Sequence, residues 1–353
     1  MSSAINLYAC SERQRSYNIF GHQLVNMYII SFIFHFHSSV LILHSSFFIT
    51  FRSLCSHKLG CVSDKKNKRI YFVCRSTFTN FAPYMLNFIS FGSGSSGNCY
   101  YLYNEEADEA ILIDAGVGIR RLKRFVKEYE VNMKAVKGVI ITHDHADHIK
   151  AISNIMSELN VFAYTTENIH RGMNANYTVK HIDTASAINI EKGTEFTIGS
   201  FHITAFPIPH DSTENVGYEI RCGEKNFTIM TDVGMPTETI KEHIRRANYL
   251  VLEANYDEEM LKNGPYPKTL KERITSGSGH LSNNQTASLL LENLHPDLSH
   301  VWLCHLSEEN NHPELARKTI EYTLRTFGII AGKDFQLEVL RRQLPTGPWK
   351  LDA

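Results

Sequence analysis

Thr142-His143-Asp144-His145-Ala146-Asp147-His148-Ile149 follows the apolar run Val139-Ile140-Ile141 and precedes apolar residues at helical spacing, so it reads as a turn between a buried strand and a helix. Three imidazoles and two carboxylates crowded into that turn would each need a separate partner if they were structural. Divalent cations take such nitrogen and oxygen ligands at short range. A turn at a strand end also lets His143 and His145 face one ion while Asp147 and His148 face a second. A solvated polar loop is the plain alternative, and it leaves the crowding unexplained.

Working upstream, Ala110-Ile111-Leu112-Ile113 is another buried-strand run, and it closes on Asp114, a carboxylate that needs a partner there. The helix expected next carries Ile119, Leu122, Val126 and Tyr129 on one face and Arg120, Arg121, Lys123, Arg124 and Lys127 around the other. Such a basic face is ordinarily solvated surface, and it is also the best match in the chain for a phosphate backbone. Earlier still, strand signals at 86–91 and 99–103 flank Gly92-Ser93-Gly94-Ser95-Ser96-Gly97-Asn98, whose glycines permit positive φ and close approach. A hairpin turn accounts for that segment by itself. Beside a metal site, its amides with Ser95, Ser96 and Asn98 can hold a phosphate.

Downstream, Ile149, Ile152, Ile155, Met156 and Leu159 predict one helix that fixes the turn it leaves. Strands are expected at 161–164, 178–182, 196–198 and 201–206, with Gly199-Ser200 joining the last pair. His170, His181 and His202 have no carboxylate neighbours in a motif and read as structural or surface residues. Phe206-Pro207-Ile208-Pro209-His210 ends a strand in a rigid loop that presents a histidine, and a hairpin at Val216–Cys222 and 227–231 leads to Asp232. That aspartate is either a ligand or the cap of a helix beginning near Pro236.

Tyr249–Glu253 reads as a strand, and Ser282 or Asn283 caps a helix with Leu289, Leu290 and Leu294 as its buried stripe. Val301-Trp302-Leu303-Cys304 delivers His305, before a helix opening at Pro313 and a closing strand at 335–340. His305 stands at a buried strand end, whereas His280 lies in a glycine-rich turn. His305 is therefore assigned to a metal and His280 to the substrate.

The length of 353 residues allows one large or two ordinary domains. With 36 basic and 37 acidic residues the net charge is -1, so any nucleic-acid contact must come from a local patch. Seven cysteines, odd in number and without a CxxC pair, argue against a disulfide framework and a thiolate zinc site, and for a reducing cytosol. Residues 1–84 are crowded with Phe, Ser, His and Ile and show no sustained periodicity, so they read as an upstream extension without a fold of its own. Met85, just before the first clear strand, is a plausible start of the functional chain. The apolar stretch 27–51 contains three histidines and no uninterrupted run of about twenty apolar residues, so neither a membrane span nor a signal peptide is expected.

The HxHxDH pattern is similar to the second motif of the metallo-β-lactamase superfamily. Ser90-Phe91-Gly92-Ser93-Gly94-Ser95-Ser96-Gly97-Asn98-Cys99, the metal turn, Gly279-His280-Leu281-Ser282-Asn283 and His305-Leu306-Ser307-Glu308-Glu309-Asn310-Asn311 together resemble its YycJ (WalJ, VicX) branch over residues 85–353. The resemblance implies an α/β, four-layer αββα sandwich with the metal site at one edge. It also implies that His210 completes the first ion's histidines with His143 and His145, that Asp232 bridges both ions, and that Asp147, His148 and His305 hold the second. Asp114 would support the turn from behind, and Asp147 and His280 would act in catalysis, His280 on the leaving oxygen. Ser95, Ser96, Asn98, Asn310 and Asn311 would contact substrate. The activity implied is cytoplasmic 5′-to-3′ exonuclease action on DNA with two divalent ions, zinc or manganese. The gap between Asp232 and His280 is too short for the inserted domain of the related RNA-processing nucleases. Rival readings are a small-molecule or cyclic-nucleotide phosphodiesterase on the same fold, and a non-catalytic metal-binding partner of a signalling system.

Overall fold

The computed structural model describes residues 85–352 and the segments 5–9, 32–36, 59–64 and 69–74. These four segments form two antiparallel pairs, Ile5–Ala9 with Phe32–Phe36 and Leu59–Asp64 with Arg69–Cys74, in a stretch where the sequence shows no clear alternation. Most of the stretch 27–51 weighed as a membrane span lies outside the described residues. Among the described residues, no helix is long and apolar enough to cross a membrane.

From Met85 onward the apolar runs become strands of two sheets. Strands β1 (Met85–Gly92), β2 (Cys99–Asn104), β3 (Glu109–Ile113), β4 (Val136–Ile140), β5 (Phe162–Thr165) and β6 (Ala187–Asn189) belong to the first. The second contains β7 (Glu195–Ile198), β8 (Phe201–Pro207), β9 (Val216–Cys222), β10 (Lys225–Met230), β11 (Tyr249–Glu253), β12 (His300–Cys304) and β13 (Gln336–Val339), in that order. A last strand, β14 (Thr346–Asp352), returns to the first sheet and pairs with β1, giving the order β6-β5-β4-β3-β2-β1-β14.

Pairing explains the sequence patterns. Strands β3, β4 and β5 are parallel, as are β10, β11, β12 and β13, and the continuous apolar runs of β3 and β11 are buried throughout their cores. The antiparallel β8 instead alternates, with Phe201, Ile203 and Ala205 buried between half-exposed His202 and Thr204. Between the sheets, Phe88 lies 4.9 Å from both Phe227 and Trp302, and Trp302 lies 5.3 Å from Trp349. Helices α1 (Ile119–Glu128), α2 (Ala146–Ile149), α3 (Ile152–Leu159) and α4 (Glu167–Ala175) accompany the first sheet. Against the second pack α5 (Glu238–Ile244), α8 (Asn283–Asn293) and α9 (Pro313–Thr326), whose Ile240, Leu290 and Ile320 share a core with Leu250 and Leu303. Two further helices, α6 (Glu258–Asn263) and α7 (Lys268–Thr275), lie between β11 and α8. The result is the four-layer αββα arrangement.

Three of the differences from the sequence reading have a local physical cause. The strand expected at 178–182 is a loop, because the main chain of Ile182 donates to Asn174 Oδ1 (2.8 Å) and that of Val179 to Asn176 rather than to a ladder. The helix expected after the metal turn is split into α2 and α3, since the Ala151 N–H leaves the helical pattern and donates to Ala115 (2.8 Å). Strand β14 went unread because Pro348 argues against a strand, yet β14 lies at a sheet edge, where a missing N–H is tolerated.

The topology sets the site. Asp114, Asp232 and His305 each directly or nearly follow the C-terminal end of a parallel strand, and each has a left-handed backbone, with φ of 59°, 57° and 53°. Non-glycine residues enter that region at a cost of about 1–3 kcal/mol, and such outliers gather at functional sites.

Candidate metal centre

The metal turn holds its shape through Asp114. Its Oδ1 accepts from the Thr142 N–H (2.9 Å), and its Oδ2 lies 2.8 Å from Nδ1 of His148. The Thr142 hydroxyl is 3.0 Å from Nδ1 of His143. Farther along the chain, His210 Nδ1 donates to the Gly279 carbonyl (3.0 Å), and His305 Nδ1 donates to Glu253 Oε1 (3.0 Å). Four imidazoles are thus gripped from behind through Nδ1, which fixes their rings and turns Nε2 forward.

The forward atoms converge. His143, His145 and His210 offer ligand atoms within 4.8 Å of one another, and so do Asp147, His148 and His305. Asp232 stands between these groups, with Oδ1 3.6 Å from His210 Nε2 and Oδ2 3.3 Å from His148 Nε2. The Nε2 atoms of His143 and His305 are buried without a hydrogen-bond partner, an expensive arrangement unless something else uses the lone pair. The two carboxylates of the turn part company: Asp147 turns inward, while Asp144 accepts from the N–H and hydroxyl of Thr213.

Electrostatics point the same way. Burial opposes charge on His148, but Asp114, Asp232 and Asp147 outweigh it and push its pKa up to about 10. His305 is likewise driven well above its usual range, against burial, by the nearby carboxylates of Asp232, Asp147 and Glu253. His143, dominated by burial and the neighbouring imidazoles, is held well below. Despite burial, Asp232 stays ionised far down the pH scale because His305 and His148 face it. A pocket of buried carboxylates and open imidazole nitrogens that calls for positive charge fits divalent cations.

A beta-lactamase superfamily domain model matches residues 109–300. The chain belongs to the beta-lactamase superfamily. It is 31% identical over 261 residues to the exodeoxyribonuclease YycJ of Bacillus anthracis, covering 74% of this chain and 97% of that protein. It is also 31% identical over 245 residues to the exodeoxyribonuclease WalJ of Streptococcus pneumoniae, covering 69% and 90%. Among solved structures, the metallo-beta-lactamase fold protein YhfI from Bacillus subtilis aligns with a TM-score of 0.56 at 16% identity, over 76% of this chain and all of that one.

Within this superfamily chain, the residues singled out from sequence separate into two sets. His143, His145, His210, Asp147, His148, Asp232 and His305 come together as described, with Asp114 behind them. His280 joins from a different side: its Nδ1 lies 2.9 Å from the same Glu253 oxygen that holds His305. Ser95 is exposed and Ser96 half-buried at the mouth. Asn98, Asn310 and Asn311 are buried and bonded to protein groups. The Asn98 amide sits 2.8 Å from His148 Nε2, Asn310 closes a turn on Ser307, and Asn311 donates to the carbonyls of Ala254 and Asn255.

Glu253 was missed. It is fully buried, ends β11, and its charge is maintained against burial chiefly by His280. The available signal was a carboxylate closing an apolar strand, the same pattern that marked Asp114 and Asp232.

The turn also depends on close main-chain packing. Asn98 N–H donates to the Asp147 carbonyl (2.7 Å), and Gly116 N–H donates to Asn98 (2.7 Å). A Cβ on Gly116 would fall 1.6 Å from the Asp147 carbonyl oxygen, whereas one on Gly118 would meet nothing within 4 Å. Gly116→Ala is therefore expected to lower both the melting temperature and the bound metal, at a cost above the roughly 1–3 kcal/mol usual for overpacking. Gly118→Ala should change neither, and equal behaviour of the two variants in melting and metal analysis would refute the argument.

Proposed function

We propose that this chain is a two-cation phosphodiesterase that degrades DNA from its 5′ end. The observation that carries the reading is His280: it lies in a further close group with Asp232, Glu253 and His305, but its Nδ1 is taken by the Glu253 carboxylate, which leaves Nε2 for the substrate. A metal store has no need of it, whereas phosphodiester cleavage needs a donor for the leaving oxygen. Similarity over 97% and 90% of the length of two proteins named exodeoxyribonucleases supports DNA as the substrate.

His143, His145 and His210 would hold one cation, Asp147, His148 and His305 the other, and Asp232 both; zinc or manganese suits this mixture. Bound there, the cations would supply acidification of water near neutral pH and neutralisation of phosphoryl charge. Asp147, its side chain partly exposed at the mouth, is placed to orient the attacking water. His280, its Nδ1 held by Glu253, is placed to donate a proton from Nε2 to the departing sugar oxygen. Ser95 and Ser96 border the path of the strand. Only α5, β11, α6 and α7 lie between Asp232 and His280, so no inserted domain covers the cleft. Buried free thiols at Cys99, Cys222 and Cys304 suit a reducing cytoplasm.

The test is product analysis. Metal-loaded protein is incubated with end-labelled linear DNA, RNA and cyclic nucleotides. Stepwise release of mononucleotides from the DNA 5′ end is expected. Hydrolysis of cyclic nucleotides alone, or no hydrolysis with both metals bound, would sink the reading.

A further inference from the structure

The basic face of α1 does not act as one surface. Lys123 is paired with Glu158 (2.8 Å), and Arg124 lies over the Phe125 ring, 5.0 Å from its centre. Arg121 also lies over the Phe125 ring, 5.8 Å from its centre, and donates to the Gln343 carbonyl (2.5 Å). Next to Gln343, Arg342 lays its stem against Gly94 and donates to the Ser307 carbonyl (3.0 Å). Lys150, just past the metal turn, donates to the Ser96 carbonyl (2.7 Å).

Lys150 and Arg342 therefore reach the turn from Gly92 to Asn98, and Arg121 is tied to the residue next to Arg342. All three are half-buried, and none is in an ion pair among the described residues. Each is fixed by one main-chain carbonyl, which leaves most of the donors of two guanidinium groups and an ammonium unfilled. Grouped like charges repel one another, and a bound anion would offset that repulsion. The turn that Lys150 and Arg342 reach is the one that touches the metal centre, through Asn98 on Asp147 (2.7 Å) and through Ser93 Oγ, which accepts from the His305 N–H (2.9 Å).

We propose that Lys150, Arg121 and Arg342 form a subsite for the DNA phosphate next to the scissile one. The subsite rests on the nuclease reading above and adds to it: a strand with one phosphate at the cations would place the adjoining phosphate on these three side chains. Phosphate contacts of this kind set the register of a strand rather than its sequence.

The full chain is tested with three dinucleotides: one with a single phosphodiester, one with an added 5′ phosphate and one with an added 3′ phosphate. The readout is the gain in kcat/KM from the added phosphate within each variant, so general losses cancel. In the unsubstituted protein one of the two added phosphates is expected to raise kcat/KM about tenfold or more, through KM. Lys150→Met should bring that gain close to one, and Lys150→Arg should restore most of it. Binding of oligothymidylate in chelator, where nothing is cut, should show a log–log salt slope flatter by about 0.7 for Lys150→Met. A gain or slope unchanged in Lys150→Met, or no gain from either phosphate in the unsubstituted protein, overturns the subsite alone. Hydrolysis of a nitrophenyl diester but of none of the dinucleotides overturns the nuclease reading, and the subsite with it.

Discussion

Glu253→Gln is expected to lower turnover by on the order of a thousandfold, reduce bound metal and depress the melting temperature, all in one substitution. The carboxylate is saturated. Its Oε1 lies 2.9 Å from His280 Nδ1 and 3.0 Å from His305 Nδ1, while Oε2 accepts from the N–H groups of Val233 (2.8 Å) and Leu281 (3.1 Å). Glutamine keeps the shape but turns one acceptor into a donor, so either both imidazoles or both main-chain N–H groups lose their partner. An unsatisfied buried donor costs about 1–3 kcal/mol, so the pair should cost about 2–6 kcal/mol in stability. If the imidazoles lose, His305 is free to turn its Nε2 away from Asp147 and His148, and His280 loses the orientation it needs for proton transfer. Thermal melting, metal analysis and kcat on the one variant check the three effects. Normal metal content with normal melting would show that Glu253 is not the common support of the two histidines.

Legibility followed sequence distance. The metal turn could be read because His143, His145, Asp147 and His148 fall within six positions, and their crowding has no cheap structural explanation. Asp114, Asp232 and His305 could be read because each closes an apolar run, which is where parallel strands deliver side chains to one edge. The groups behind the ligands were not legible. The carbonyl of Gly279 behind His210 is main chain and has no residue signature, and Glu253 shows its purpose only when His280 and His305 are brought to it from 27 and 52 residues away. The burial of Asn310 and Asn311 was hidden for a related reason: it is decided by β11 and α8, which supply the carbonyls and Asn283 that bond Asn311. Strand β14 hid behind Pro348, since the edge position that excuses a proline is a property of the sheet rather than of the segment.

The second large effect separates His280 from His305. Both donate Nδ1–H to one oxygen of Glu253, but their surroundings differ: His305 is buried with Nε2 3.6 Å from Asp147 Oδ2, whereas His280 remains partly exposed. Loss of His305 therefore removes an imidazole from the group of Asp147 and His148, and His305→Ala should lose metal at that position. His280→Ala should keep near-normal metal and turn over DNA more slowly by about a hundredfold or more, as expected when a general acid is lost. The size of the defect should depend on the substrate. A nitrophenolate departs without a proton, so a nitrophenyl diester should be cleaved by His280→Ala at closer to the unsubstituted rate, while His305→Ala should be slow on both substrates. Metal analysis of the two purified variants is decisive: depletion in His280→Ala with retention in His305→Ala would reverse the assignment and move the proton donor to the end of β12.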